Sequence, residues 1–429
     1  MRIDINGSTF VWLTIVGAFA VPAVLIVKSG RRDILPYLAA YFAFFGFGPI
    51  VNFALGNSIY SGAVRSEIGM AAVGGLLALS GMLVVGLWVR VRRTALDRSK
   101  ISGEGRRYHL LPFMFLGLAG YTTIAILQYG LLGFSGDKIQ RIQQSGPWHY
   151  QLLLVQMLCC SFYFAAVATR FGKVSYWANF SCYVAYCLLT NERDFIFVVF
   201  SILLHVQLFR PRPMSARMIA AGAAAIVGAV FLASYRDRPL SSEGGAISQA
   251  LNEGSTIFPD TFIMAAVPGT IPFAHGETYL RSAIMLLPGV PSDSLSAWLV
   301  EQYSADSASG YGFSLVAEAY LNFGMVGIPI VFALLALLQR YLVRRVDRGH
   351  FFAYASIVLT ITWMYNFRGE SLAVLKTAMY ALLLYGVVHL FSTPMSTVAR
   401  RVAPSAELPR SRDRSSDAET SRLGSGSGH

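Results

Sequence analysis

Long apolar runs recur along the chain, separated by short polar stretches rich in arginine. They fall at about residues 9–27, 34–55, 68–89, 110–133, 150–169, 174–190, 195–209, 217–234, 315–338, 351–367 and 371–392. Most approach the roughly 20 residues that one helix needs to cross a bilayer. The pattern predicts an all-α, polytopic membrane protein with about eleven transmembrane helices. Two places depart from the rhythm. Between residues 235 and 313 the apolar pieces, such as Phe262–Val267 and Ile284–Leu287, are too short to span. They read as short interfacial or re-entrant helices in one long outer loop. Residues 174–209 would rise about 54 Å as helix, a little less than two crossings of about 30 Å each. Their turn, Asn191-Glu192-Arg193-Asp194, is therefore expected slightly below one membrane face. The expected organisation is spans 1–8 in residues 1–234, the long loop in 235–313, spans 9–11 in 314–393 and a disordered tail in 394–429. Gly424–His429 reads as an appended linker, and the first apolar run lacks the flanks of a cleavable signal peptide.

Composition narrows the class. Of 429 residues, 55% are apolar and 14% charged, against about 25% charged in a soluble domain. A soluble enzyme, a coiled coil, a disordered chain and a disulfide scaffold are excluded. The net charge of +12 reads as a topology signal rather than a nucleic-acid surface. With the first loop placed inside and the spans alternating, 25 Lys and Arg fall inside and nine outside, with Lys376 in the last span. Cytoplasmic loops carry such an excess, so the N-terminus is expected in the periplasm and the C-terminus in the cytoplasm. Cys159, Cys160, Cys182 and Cys187 lie within apolar runs and are expected as buried thiols.

Ionisable residues near membrane depth are the candidates for chemistry. Three expected outer turns pair arginine with a carboxylate: Asn191–Asp194, Ser234-Tyr235-Arg236-Asp237-Arg238 and Phe367-Arg368-Gly369-Glu370. Guanidinium groups form the forked contacts that phosphate oxygens accept. Ser314, Glu318, Asn322 and Met325 follow a 4, 4, 3 spacing and are predicted to share one helix face. Glu318 is either a paired structural acid or a proton acceptor. His275, in the long loop, is an alternative base, because imidazole changes charge near neutrality. No DxD, HExxH, paired CxxC or P-loop occurs, so no metal site, cofactor or nucleotide use is indicated.

The block Gly312-Phe313-Ser314 to Glu318-Ala319-Tyr320-Leu321-Asn322-Phe323-Gly324-Met325-Val326-Gly327, the Arg193 turn and the Arg368-Gly369-Glu370 hairpin resemble the Wzy-type O-antigen or oligosaccharide repeat-unit polymerases. The resemblance covers most of the chain in topology and about thirty residues in motif. It implies a GT-C-like fold in the bacterial inner membrane with the active site facing the periplasm. It implies a glycosyltransferase that moves a growing glycan from undecaprenyl pyrophosphate onto a lipid-linked repeat unit, without metal. It further implies a chain-length regulator and a flippase as partners. On this reading Glu318 and His275 are catalytic candidates, and Arg193, Arg236, Arg238 and Arg368 hold pyrophosphate. Tyr235, Arg281, Tyr311, Ser314, Tyr320, Asn322 and Glu370 contact substrate. An O-antigen ligase is the alternative within the enzyme class, and a polysaccharide or lipid transporter is the alternative outside it.

Overall fold

The computed structural model describes residues 8–29, 33–57, 63–89, 106–129, 148–190, 194–209, 256–287, 294–303 and 312–394, with short pieces at 91, 215, 248, 251–252 and 290. The chain is helical almost throughout these residues. In order come α1 (Ser8–Ser29), α2 (Leu35–Ala54), α3 (Ile68–Trp88), α4 (Leu110–Tyr129), α5 (Trp148–Cys160), α6 (Tyr163–Ala166), α7 (Arg170–Leu189) and α8 (Phe195–Phe209). Then follow α9 (Ile257–Ala266), α10 (Glu277–Ile284), α11 (Leu295–Tyr303), α12 (Leu315–Arg344), α13 (His350–Asn366) and α14 (Ser371–Leu390). A short antiparallel pair joins Arg106–Tyr108 to Ser392–Pro394.

Among the described residues six helices are long and apolar enough to cross a membrane: α1, α2, α3, α4, α12 and α14. The protein is a multi-pass membrane protein, but the described residues do not reach the expected eleven spans. The reasons are local. The run at 150–169 divides after Cys160 into α5 and α6. At 13, 15 and 17 residues, α5, α8 and α13 fall short of the roughly 20 that a crossing needs. Helix α7 has the length but carries Arg170, Lys173, Ser175 and Asn179. The expected span at 217–234 lies outside the described residues.

One face of each span packs on its neighbours and the other is left exposed. Trp12, Leu13, Val16 and Val27 of α1 are exposed, whereas Val11, Ala18 and Leu25 are buried. Helices in a bilayer approach most closely at small residues. Gly81 of α3 shows this, since a Cβ there would stand 2.3 Å from the Pro329 carbonyl oxygen of α12. The same two helices are tied at their far end by a charge. Arg340 of α12 is fully buried and ion-paired with Asp33, which precedes α2. The guanidinium also donates to the Gly86 carbonyl at 3.0 Å and to Ser29 Oγ at 3.1 Å. Asp33 accepts from the Leu35 amide at 3.2 Å, closing the start of α2. One arginine thus gathers the ends of α1, α2 and α3.

The two ends of the bundle differ in charge. Lys28, Arg340, Arg344, Arg345 and Arg348 belong to the Arg344 end of α12, whereas Arg65, Arg281 and Arg368 belong to its Ser314 end.

A buried ion pair that loses one partner leaves the other charge uncompensated, typically costing about 3–5 kcal/mol. Asp33→Ala and Arg340→Met should each lower the melting temperature in detergent. The double variant should recover most of the loss, because it removes both charges. Equal or additive losses in the double variant would show that the pairing itself does not hold this end together.

Candidate active site

The site is built on a broken helix. At Gly324 the backbone of α12 turns to φ 64° and ψ −158°, a conformation that glycine adopts at little cost. The break frees carbonyl groups that a continuous helix would use. The loop before α10 takes them up, with Ala274 N–H donating to Leu321 O at 2.9 Å and His275 N–H donating to Asn322 O at 3.1 Å. His275 and Gly276 then turn sharply, at φ 47° and 94°, into α10. The Asn322 side chain fastens this turn. Its Oδ1 accepts from Gly276 N–H at 2.9 Å, and its Nδ2 donates to Thr278 Oγ1 at 2.6 Å.

Glu318 lies one turn earlier on the same face and is fully buried. Its Oε1 accepts from Thr278 Oγ1 at 3.0 Å and from Ser371 Oγ at 2.6 Å, and its Oε2 accepts from Ser371 N–H at 2.7 Å. The last bond caps α14. Glu370 holds the extended backbone of an N-cap but gives α14 no side-chain bond. The acid that satisfies the first amide therefore comes from α12, where it also meets the positive end of the helix dipole. The Ser282 and Ser371 hydroxyls are 3.1 Å apart, so α10, α12 and α14 meet at one carboxylate.

Two further acids extend this arrangement. Glu370 is buried, and its Oε2 accepts from the Leu295 amide, capping α11. Burial raises its pKa to about 7, and neighbouring Glu318 pushes in the same direction. Ser314 caps α12 by accepting from the Val316 and Ala317 amides at 3.1 and 3.0 Å. It donates to Asp260 of α9 at 2.5 Å. Burial raises the Asp260 carboxyl to about 6. Tyr320 donates to Val267 O at 3.4 Å and rests its ring against Phe273.

Ser314, Glu318 and Asn322 share the predicted helix face, and the break falls before Met325. His275, Arg281 and Arg368 are exposed around this buried network. The carbonyl oxygen of Arg368 lies 2.8 Å from where a Cβ on Gly312 would stand, so the approach to α12 runs along the Arg368 turn. Arg193, Tyr235, Arg236, Arg238 and Tyr311 lie outside the described residues. Sequence reasoning missed Thr278, Ser282, Ser371 and Asp260. Of these, only Asp260, a carboxylate inside the apolar stretch Ile257–Ala266, carried a visible signal. Among the described residues no group of three or more His, Cys, Asp or Glu side chains is placed to hold a metal ion.

Residues 261–396 match the model of the family described as O-antigen polysaccharide polymerase Wzy. This part of the chain is similar to the Wzy-type polymerases. The match covers about a third of the sequence and contains α10 to α14, hence every helix that meets at Glu318. No curated protein and no solved structure matches the chain. The family's description names the polymerisation of O-antigen polysaccharide.

The raised Glu370 value has a consequence for stability. The folded state holds this proton more tightly than the unfolded chain, whose glutamate titrates near 4.3. The Glu370 contribution to stability is therefore greatest below about pH 4.3 and falls as pH rises towards about 7. Glu370→Gln keeps an oxygen acceptor for Leu295 and should flatten this part of the curve. Asp260→Asn should remove a separate decline ending near 6. Melting temperatures in detergent between pH 4.5 and 8 measure both. A Glu370→Gln slope equal to that of the parent would contradict the assignment.

Proposed function

We propose that the chain transfers a growing glycan from undecaprenyl pyrophosphate to a lipid-linked oligosaccharide repeat unit at the periplasmic face of the inner membrane, without metal. The observation that carries this reading is the junction itself. Within the Wzy-type region, exposed His275, Arg281 and Arg368 surround a buried, hydrogen-bonded network at one end of the membrane helices. The basic side chains at the opposite, Arg344 end support an outward-facing junction.

The chemistry divides between buried and exposed groups. The acceptor hydroxyl attacks the anomeric carbon and gives its proton to a base. The bond from that carbon to the pyrophosphate oxygen breaks, and the electron pair leaves on the lipid pyrophosphate. Arg368 and Arg281 are exposed where they can bind that group, with Arg193, Arg236 and Arg238 as further candidates. Developing charge held by forked donors lowers the barrier without a metal ion. His275 is our candidate base, because its ring is exposed while its backbone amide is fixed on Asn322. Glu318 already accepts three hydrogen bonds inside the fold, so we assign it to holding the junction. A ligase would use the same groups on a different acceptor. A transporter reading is less favoured, because transporters bind near the bilayer midplane and these groups gather at a helix end. A chain-length regulator and a flippase are the partners that this pathway step calls for.

The test uses purified protein with lipid-linked repeat units, read as glycan ladders on a gel. The parent protein should form a ladder. His275→Gln should lower the turnover rate by about 100-fold or more, in the range for a lost general base. Arg368→Lys should impair elongation because an ammonium lacks the fork. Glu318→Gln should lower the melting temperature. A parental ladder from His275→Gln, combined with a lost ladder from a stably folded Glu318→Gln, would reverse the two roles.

A further inference from the structure

A second feature of the Wzy-type region is a groove of about 190 Å³ between α12, α13 and α14. Its lining includes Tyr354 and Val358 of α13, with Val374, Ala378, Ala381 and Leu382 of α14. Tyr354, Val358 and Ala381 are buried and form the floor. Leu382 on α14 and Leu338 on α12, both large and exposed, stand at the lips. At about 30 Å³ per molecule the volume would hold several waters, but a wall this apolar offers them too few polar partners. A dry apolar cavity of this size takes up apolar ligands instead.

The groove also has a direction. Val374 follows Ser371 by three residues, which places the groove about 4.5 Å along α14 from the Glu318 cap. From Val374 to Leu382 it runs about 12 Å further, away from the Arg368 turn. An amphiphile with its anionic head at Arg368 would therefore lay its tail into this groove.

We infer that the groove is a binding site for the isoprenoid tail of the lipid-linked substrate. The inference rests on the lipid-linked donor proposed above. Ala378 and Ala381 on α14 and Ala355 on α13 put small side chains in the wall, which gives a methyl-branched isoprenoid the width it needs beyond that of a straight acyl chain. The groove holds the first units of the tail, next to the pyrophosphate. It fixes the lipid end of the donor while the glycan extends away from the membrane.

The full chain in phosphatidylglycerol nanodiscs provides the test. The probe is a polyprenyl phosphate, without sugar, carrying a diazirine in its first isoprene units. It should label α13 and α14 peptides containing Ala355–Thr362 and Val374–Leu382. Unlabelled polyprenyl phosphate should compete the label away, and excess phosphatidylglycerol should not. Ala378→Trp should reduce labelling about tenfold or more, the scale expected for a few lost apolar contacts. If Ala378→Trp folds poorly, Ala355→Leu narrows the opposite wall and should reduce labelling in the same direction. Equal labelling of these peptides by a diazirine phosphatidylglycerol, with no displacement by polyprenyl phosphate, would overturn the inference and assign the groove to bulk lipid. Unchanged labelling in both folded variants would overturn it as well. Displaceable labelling without any glycan ladder would support the groove and remove the polymerase reading. A ladder without labelling would do the reverse.

Discussion

A carboxylate in a membrane helix must be given hydrogen-bond donors, and this requirement organises the Wzy-type region. Glu318 takes donors from Thr278 and Ser371, so α10 and α14 must both close on α12. The break at Gly324 imposes a second demand, because backbone carbonyls freed within a membrane helix need partners. The backbone at Ala274 and His275 supplies them. These demands are met by Ser371 of α14 and by residues 274–278, which are held to α12 by backbone and side-chain bonds. This stretch is therefore part of the fold, and His275 on it stands on a fixed base.

Part of this was legible in the sequence and part was not, for identifiable reasons. The spacing of Ser314, Glu318 and Asn322 follows from helix geometry, and the structure keeps all three on one face. Gly324 reads in sequence as a packing glycine. In the fold its positive φ breaks the helix, and the residue type alone cannot separate the two uses. Thr278, Ser282 and Ser371 are short polar residues whose importance depends on partners 40, 89 and 53 residues away. No local pattern marks such pairings. Among the described residues only six long apolar helices appear where eleven spans were expected, for a related reason. An apolar run does not reveal a break such as the one after Cys160, and α13 is as apolar as a span but shorter than one.

The break also resolves the length of α12. Thirty residues would rise about 45 Å if straight, well beyond a hydrocarbon core of about 30 Å. Gly324 divides it into Leu315–Phe323 and a piece from Met325 to Arg344. The second piece has 20 residues and rises about 30 Å, enough to cross the core alone. The first piece, with Glu318, is then the part of the helix nearest the membrane surface. At the other end the buried Arg340 needs an anion, and Asp33 provides it from the loop between α1 and α2. Each end of the crossing piece is thus anchored to another part of the chain by polar bonds, while its length is held by close packing against α3.

This arrangement separates two kinds of polar group. Those that cannot reach water, Glu318, Glu370, Asp260 and Asn322, are consumed in capping helices and joining them. Their value lies in position, since each bond fixes one helix start against another. Those left exposed, His275, Arg281 and Arg368, sit on the elements that the buried groups fix. The His275 amide is bonded to the Asn322 carbonyl, and Arg368 is three residues from Ser371. In the proposed reaction a base and a pyrophosphate site must keep a set distance while a glycan of growing size is handled between them. A rigid polar junction at the membrane surface supplies that distance, and the apolar groove beneath it continues the same geometry into the bilayer. On the proposed reaction, the donor's division into sugar, pyrophosphate and hydrocarbon corresponds, in order, to exposed side chains, arginines and an apolar wall.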